Sequence, residues 1–157
     1  MTTAIQKIVE QLNMRPHPEG GYFVETYRSP VVLEKTQKSL ATVIYFLLPS
    51  SETSSWHRIK SDEFWFYHAG SPIVVHAIEN GVYSATIVGK ELEHGQVPQH
   101  LVPAGAVFGA SVSEENTYSL VSCVVAPGFD FSDFELFTQE QMLELFPHLK
   151  KEISLLF

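Results

Sequence analysis

Cysteine is scarce in this 157-residue sequence: Cys123 is the single example, so no disulfide can form within the chain. Cys123 stands in the apolar run 120–125, where we expect a buried small side chain rather than a reactive thiol. No apolar run approaches the ~20 residues that a membrane-spanning helix needs. The first residues also lack the basic and apolar blocks of a signal peptide, so we expect a cytoplasmic protein.

Positive charge is also scarce, with 10 lysines and arginines against 18 aspartates and glutamates and a net charge of −8. Without a dense basic run, the chain is not expected to bind nucleic acid or an anionic membrane surface. The sequence contains no Gly-x-Gly-x-x-Gly, Gly-Lys-Ser/Thr loop, Gly-x-Ser-x-Gly elbow or Cys-x-x-Cys pair. The nucleotide-binding, hydrolase and dithiol chemistries that depend on those motifs are therefore set aside.

Short segments rich in β-branched and aromatic residues follow one another, with clusters of Pro, Gly, Ser or Asn between them. They predict strands at 22–28, 41–48, 54–59, 63–68, 73–78, 82–88, 107–111 and 118–125. Apolar spacing predicts a short helix before Pro16, and a capping box at Thr138 and Gln141 predicts another before Pro147. A chain of this length is expected to form one domain, 1–157, and such a series of strands is typical of an antiparallel sandwich or barrel.

A histidine and a glutamate on neighbouring predicted strands are the strongest candidates for chemistry. His57 and Ile59 share one face of their strand, and Glu63, Trp65 and Tyr67 share a face of the next. If the two strands pair as a hairpin around residues 60–62, His57 and Glu63 converge inside the fold. A histidine beside a carboxylate can ligate a metal, or it can act as a general base whose pKa the carboxylate raises. The alternative is a hydrogen-bonded histidine in the core.

The spacing of His57, Glu63 and Gly70 resembles the first motif of the cupin superfamily, with Ile59 where that motif has a second histidine. The segment 103–108 resembles the second motif, with Phe108 at its ligand position. Isoleucine and phenylalanine provide no donor atoms to a cation, so we expect neither a tightly bound catalytic metal nor another cofactor.

Further segments, at 16–23, 25–29, 44–48 and 125–135, resemble an uncharacterised type-5 family within the cupins. The resemblance implies an all-β fold: a single antiparallel jelly-roll β-barrel with short N- and C-terminal helices. It also implies a likeness to the barrel of nucleotide-sugar epimerases, and a homodimer. The family itself has no assigned function.

A pocket at one mouth of the barrel is the expected binding site for a small molecule. The residues that we predict to be catalytic are His57, Glu63 and Tyr67. The residues that we predict to contact the ligand are Tyr22, Thr26, Arg28, Tyr45, Trp65, Phe108 and Tyr118. Strict alternation places Tyr22, Thr26 and Arg28 on one face of their strand, which is either ligand-facing or a solvent-exposed edge.

The sequence supports more than one hypothesis about function. In the first, the protein is a metal-independent isomerase or epimerase of a small polar or sugar-derived ligand. His57 is then the base, Glu63 raises its pKa, Tyr67 or Tyr118 supplies the proton, and Arg28 holds an anionic group. In the second, the protein is a non-catalytic binding or sensing module that has lost the metal site. A third hypothesis is a weak metal site completed by water or by His76.

Overall fold

The computed structural model describes residues 3–157, which contain eleven β-strands and three short α-helices. The strands are β1 Arg15–Pro16, β2 Tyr22–Arg28, β3 Thr42–Pro49, β4 Ser54–Arg58, β5 Asp62–Gly70, β6 Ile73–Glu79, β7 Val82–Val88, β8 Gln99–Val102, β9 Val107–Val112, β10 Tyr118–Ala126 and β11 Glu135–Leu136. The helices are α1 Thr3–Gln11, α2 Gln139–Leu145 and α3 Lys150–Ile153. All the predicted strands are present, whereas β1, β8 and β11 were not expected from the sequence.

The strands form two antiparallel sheets rather than one closed barrel. The order is β1-β2-β3-β10-β5-β8 in the six-stranded sheet and β11-β4-β9-β6-β7 in the five-stranded sheet. No closed hydrogen-bonded barrel is found among residues 3–157, which corrects the expected barrel to a pair of sheets. β4 and β5 belong to different sheets, so the predicted hairpin around residues 60–62 is also wrong.

The two sheets face each other across the main hydrophobic core. Large side chains from both sheets fill it, among them Phe46 and Trp65 from one sheet and Val75 and Phe108 from the other. The alternation along β4 agrees with this arrangement. His57 faces this interior, whereas Trp56 faces outward and packs with α2 and α3.

Helices cover the outer faces of both sheets. α1 packs against the six-stranded sheet through Ile5, which is buried with Met14 and Leu47. At the other end of the chain, Thr138 and Gln141 form the predicted capping box of α2. Within residues 3–157, none of the helices has the length and apolar character needed to cross a bilayer.

Candidate functional site

A cavity of about 410 Å³ lies between the inner face of the six-stranded sheet, β4 and the segment 129–131. Its volume falls within the range of small-molecule pockets. The lining side chains combine aromatic walls with a cluster of titratable groups; they are Arg15, His17, Glu19, Phe23, Glu25, Arg28, Thr42, Ile44, Phe46, His57, Ile59, Glu63, Cys123, Val125, Phe129, Asp130 and Phe131. Phenylalanine rings form much of the wall, and the histidines and buried carboxyls are the polar groups of the interior.

A tight turn between β1 and β2 places Glu19 in the interior. The backbone N–H of His17 donates to the carbonyl of Gly21 (2.9 Å), and the N–H of Ser55 donates to the carbonyl of Glu19 (2.8 Å). Gly20 has a φ of +113°, and a Cβ at this position would collide with the carbonyl oxygen of Thr53. The Gly20-Gly21 pair is therefore required to bring the turn, and with it Glu19, against β4.

Glu19 and His57 form a buried pair that shares one proton. Glu19 Oε2 lies 3.0 Å from His57 Nε2, and the hydroxyl of Ser54 donates to Glu19 Oε1 (2.9 Å). His57 Nδ1 donates to the carbonyl oxygen of Ser55 (2.7 Å), so Nε2 is the acceptor in the neutral ring. Burial raises the pKa of Glu19 and lowers the pKa of His57 to about 4. Both directions favour a protonated Glu19 that donates to a neutral His57.

His17 adds a neutral donor to the cavity. Its Nδ1 accepts a hydrogen bond from the backbone N–H of Glu19 (3.1 Å), so the hydrogen of the neutral ring lies on Nε2. Burial lowers the pKa of His17, and the nearby Glu19 opposes that shift only in part. Within residues 3–157 no protein group accepts from His17 Nε2. Because His17 lines the cavity, this N–H is free to bind a ligand.

Glu63 is the second carboxyl of the interior. It is buried, and the thiol of Cys123 donates a hydrogen bond to it. Burial, the larger cause, and the proximity of Glu19 together raise the pKa of Glu63 to about 8, against a smaller opposing effect of the Cys123 thiol. Burial also raises the pKa of the Cys123 thiol. This agrees with the expectation that Cys123 is a buried side chain. The carboxyl of Glu63 thus exchanges its proton close to neutral pH, which suits a group that both accepts and donates protons.

Two arginines stand at the mouth of the cavity in different surroundings. Arg28 donates to both carboxylate oxygens of Glu25, at 2.7 and 3.2 Å, and to the carbonyl oxygen of Phe129 at 3.1 Å. Arg15 lies over the ring of Phe23, with its guanidinium carbon 5.0 Å from the ring centroid. The positive charge of Arg28 is therefore paired within the protein, whereas that of Arg15 rests on an aromatic face.

The structure brings His57, Glu63 and Arg28 together at one cavity, as the sequence predicts. The expected contact is different, because the carboxylate beside His57 is Glu19 and not Glu63. Strict alternation along β2 also does not explain why Arg28 lines the cavity. A β-bulge between Glu25 and Tyr27 shifts the register, so that Arg28 joins Glu25 on the inner face.

The other predicted site residues do not line the cavity. Tyr22, Tyr45 and Tyr118 pack on the outer face of the six-stranded sheet with α1. Thr26 is exposed, and its hydroxyl donates to the carbonyl of Val43. Their expected place in one pocket with His57 is therefore corrected.

Tyr67, Trp65 and Phe108 lie in or against the core between the sheets rather than on the cavity surface. The hydroxyl of Tyr67 donates to the carbonyl of Gly70 (2.6 Å). The ring of Phe108 packs against His57, with 4.1 Å between the ring centroids. His76 lies outside the cavity, where its ring nitrogens are bonded to Tyr83 (2.7 Å) and Ser111 (2.9 Å). It therefore cannot complete a metal site with His57.

The residues present do not fit a cupin metal centre. Ile59 and Phe108 offer no donors, and both ring nitrogens of His57 are already engaged by Ser55 and Glu19. Within the part of the chain that the structure describes, no group of three His, Cys, Asp or Glu side chains has the arrangement to hold an ion.

Comparison with known proteins agrees with this description. The model of a family described as Cupin superfamily (DUF985) matches residues 6–137. A hypothetical protein from Leishmania major is 40% identical, with a TM-score of 0.89 and coverage of 96% of this chain and 97% of that one. The protein SO0799 from Shewanella oneidensis is 37% identical, with a TM-score of 0.91 and coverage of 99% and 98%. The uncharacterised protein YML079W of Saccharomyces cerevisiae is 30% identical over 99% of this chain and 86% of its own length.

Proposed function

The chain belongs to the DUF985 family of the cupin superfamily, and we propose that it is a metal-independent isomerase that moves a proton on a small carbonyl compound. One observation carries the proposal: a buried carboxyl that titrates near neutral pH, Glu63, lines the same cavity as a neutral imidazole with a free N–H, His17. A carboxylate base and a neutral imidazole donor are an effective pair for abstracting a proton next to a carbonyl.

The reaction follows from these two groups. The ionised form of Glu63 takes the proton from the carbon next to the carbonyl, so that the C–H bond breaks and its electron pair forms a C=C bond. The π electrons of the carbonyl move to its oxygen, which accepts a hydrogen bond from His17 Nε2. Glu63 then returns the proton to the enolate oxygen, which gives the enol tautomer of the substrate. Substrate and product are isomers, and the step needs no further reactant.

His57 has a positioning role in this proposal and is not the base that the sequence predicts. Its nitrogens are bonded to Ser55 (2.7 Å) and Glu19 (3.0 Å), so neither is free to take a proton from a ligand. The pair instead keeps Glu19 protonated, which limits the negative charge near Glu63. Tyr67, the earlier candidate for a proton donor, already donates to Gly70. A homodimer also remains our proposal, and native mass spectrometry of the 17.7 kDa chain tests it.

Solvent deuterium exchange tests the proposal. The protein is incubated in D₂O with phenylpyruvate, methyl phenylpyruvate, dihydroxyacetone phosphate and dihydroxyacetone, and the loss of the C–H signal next to each carbonyl is followed by NMR. We expect exchange above the buffer rate with at least one compound, rising with pH through about 8 as Glu63 ionises.

Glu63→Gln is expected to abolish that exchange, because the amide accepts no proton. Glu135→Gln is the matched control, since Glu135 lies outside the cavity in an ion pair with Arg58. Exchange at the buffer rate with all four compounds overturns the enzyme proposal, and saturable binding without exchange then favours the non-catalytic binding module.

A further inference from the structure

We infer that the substrate carries one anionic group, a carboxylate or a phosphate, and that Arg15 binds this group at the mouth of the cavity. The inference rests on the proposed function for the orientation of the ligand. Arg15, which the sequence does not single out, thus has the role that the sequence assigns to Arg28.

The two arginines differ in what they still have to offer. Arg28 is engaged by Glu25 and by the carbonyl of Phe129, so an incoming anion would have to displace a carboxylate. For Arg15 no carboxylate of residues 3–157 lies within ion-pair distance. Its guanidinium is held over Phe23 at 5.0 Å, which leaves the edges of the guanidinium for oxygen acceptors.

The wall of the cavity connects Arg15 with the reacting groups. The ring of Phe23 that lies beneath Arg15 also contacts the ring of His17 in an edge-on arrangement, with 4.7 Å between centroids. A ligand whose anion lies on Arg15 can therefore run along Phe23 and place its carbonyl oxygen on His17. This geometry defines a small molecule with its charge at one end and its carbonyl at the other.

The interior of the cavity excludes the opposite orientation. Glu19 and Glu63 are buried carboxyls, and a ligand anion between them would lose its hydration without gaining a cation. At the mouth, Glu25 already neutralises Arg28, and Asp130 adds a carboxylate that disfavours a second negative charge. One anionic group, placed at Arg15, is the charge pattern that this cavity accepts.

Two matched pairs of compounds test the inference through binding. Dissociation constants of phenylpyruvate against its neutral methyl ester, and of dihydroxyacetone phosphate against dihydroxyacetone, are measured by NMR titration. We expect Arg15→Gln to weaken binding of the preferred anion about tenfold, the order of a charged hydrogen bond. The neutral partner should bind wild type and variant alike. Which pair responds distinguishes a carboxylate from a phosphate.

Arg58→Gln is the matched control for Arg15→Gln. Arg58 also lies over a phenylalanine ring, with 5.3 Å to the centroid of Phe137, but it pairs with Glu135 and does not line the cavity. We expect unchanged affinities in this variant. Equal affinity of wild type and Arg15→Gln for both anions overturns the inference, and so does the absence of saturable binding of either anion to wild type.

The same compounds separate the two proposals. Exchange of deuterium without any effect of Arg15→Gln on binding would retain the isomerase and reject the anion site. A loss of anion binding in Arg15→Gln, in a protein that exchanges no deuterium, would retain the anion site and reject the isomerase.

Discussion

Replacing Glu63 with glutamine is expected to change how the stability of the protein depends on pH. An ordinary glutamate titrates near 4.5, whereas burial raises the pKa of Glu63 to about 8 in the folded protein. Between these values the folded state holds a proton that the unfolded state has lost. The free energy of unfolding therefore falls as the pH rises from 4.5 to 8, and Glu63 adds no further slope above pH 8.

The size of the effect follows from the distance between the two pKa values. At about 1.4 kcal/mol for each pH unit between them, ionisation of Glu63 removes roughly 5 kcal/mol of stability by pH 8. This is a large share of the ~5–15 kcal/mol that typical domains have. Glutamine has the shape of the protonated acid but no charge to bury. Glu63→Gln should therefore match the wild type near pH 5 and exceed it in stability at pH 8.

Urea unfolding followed by tryptophan fluorescence, at several values between pH 5 and 9, measures both curves. Glu19 keeps a raised pKa in the variant, so some decline should remain, but with a smaller slope than in the wild type. Glu135→Gln controls for the loss of a carboxylate outside the cavity. Parallel curves for wild type and Glu63→Gln would show that Glu63 ionises as easily in the folded protein as in the unfolded chain, and would refute the reasoning.

Two further substitutions, the first with a matched control, test the packing around β4. Gly20→Ala should destabilise the protein by at least ~1–3 kcal/mol in urea unfolding, because of its φ of +113° and its clash with the carbonyl of Thr53. Gly105→Ala, at a φ of +83° with open space around it, should lose less, and an equal loss would contradict the role of the clash. Trp56→Phe should remove ~1–3 kcal/mol because it leaves the carbonyl of Ile153, 2.9 Å from Trp56 Nε1, without its donor; thermal unfolding unchanged from wild type would contradict this.

The strands of the fold could be predicted from the sequence because each has a strong local pattern. Of the eight predicted strands, β2 and β7 have the predicted bounds, and the other six differ by two residues or fewer at each end. The sheet to which a strand belongs is not a local property. β4 and β5 follow each other closely, yet the chain between them crosses from one sheet to the other. Only the tertiary packing decides between that crossing and a hairpin.

The candidate site could be predicted only where its residues lie on strands, because strands have a local pattern that a turn lacks. Alternation along β4 and β5 correctly placed His57 and Glu63 toward one interior. Glu19 and His17 were missed as chemical groups because they lie in a turn, where no periodicity says which way a side chain points. Their signal was the Gly-Gly pair after Glu19, which allows the turn to approach β4 closely. The bulge that turned Arg28 inward leaves no comparable mark in the sequence.

The two apolar residues at the cupin ligand positions help to explain the chemistry that we propose. Ile59 lines the cavity, and Phe108 packs against His57 at 4.1 Å, so neither offers a charge or a hydrogen bond to the carboxyls nearby. A carboxyl in such surroundings loses its hydration and gains only neutral hydrogen-bond partners, which favours its protonated form. The residues that remove the donors for a cation therefore also favour the protonated carboxyls of Glu19 and Glu63. In the chemistry that we propose, carboxyls that exchange protons therefore take the place that a metal ion occupies in the cupin motif.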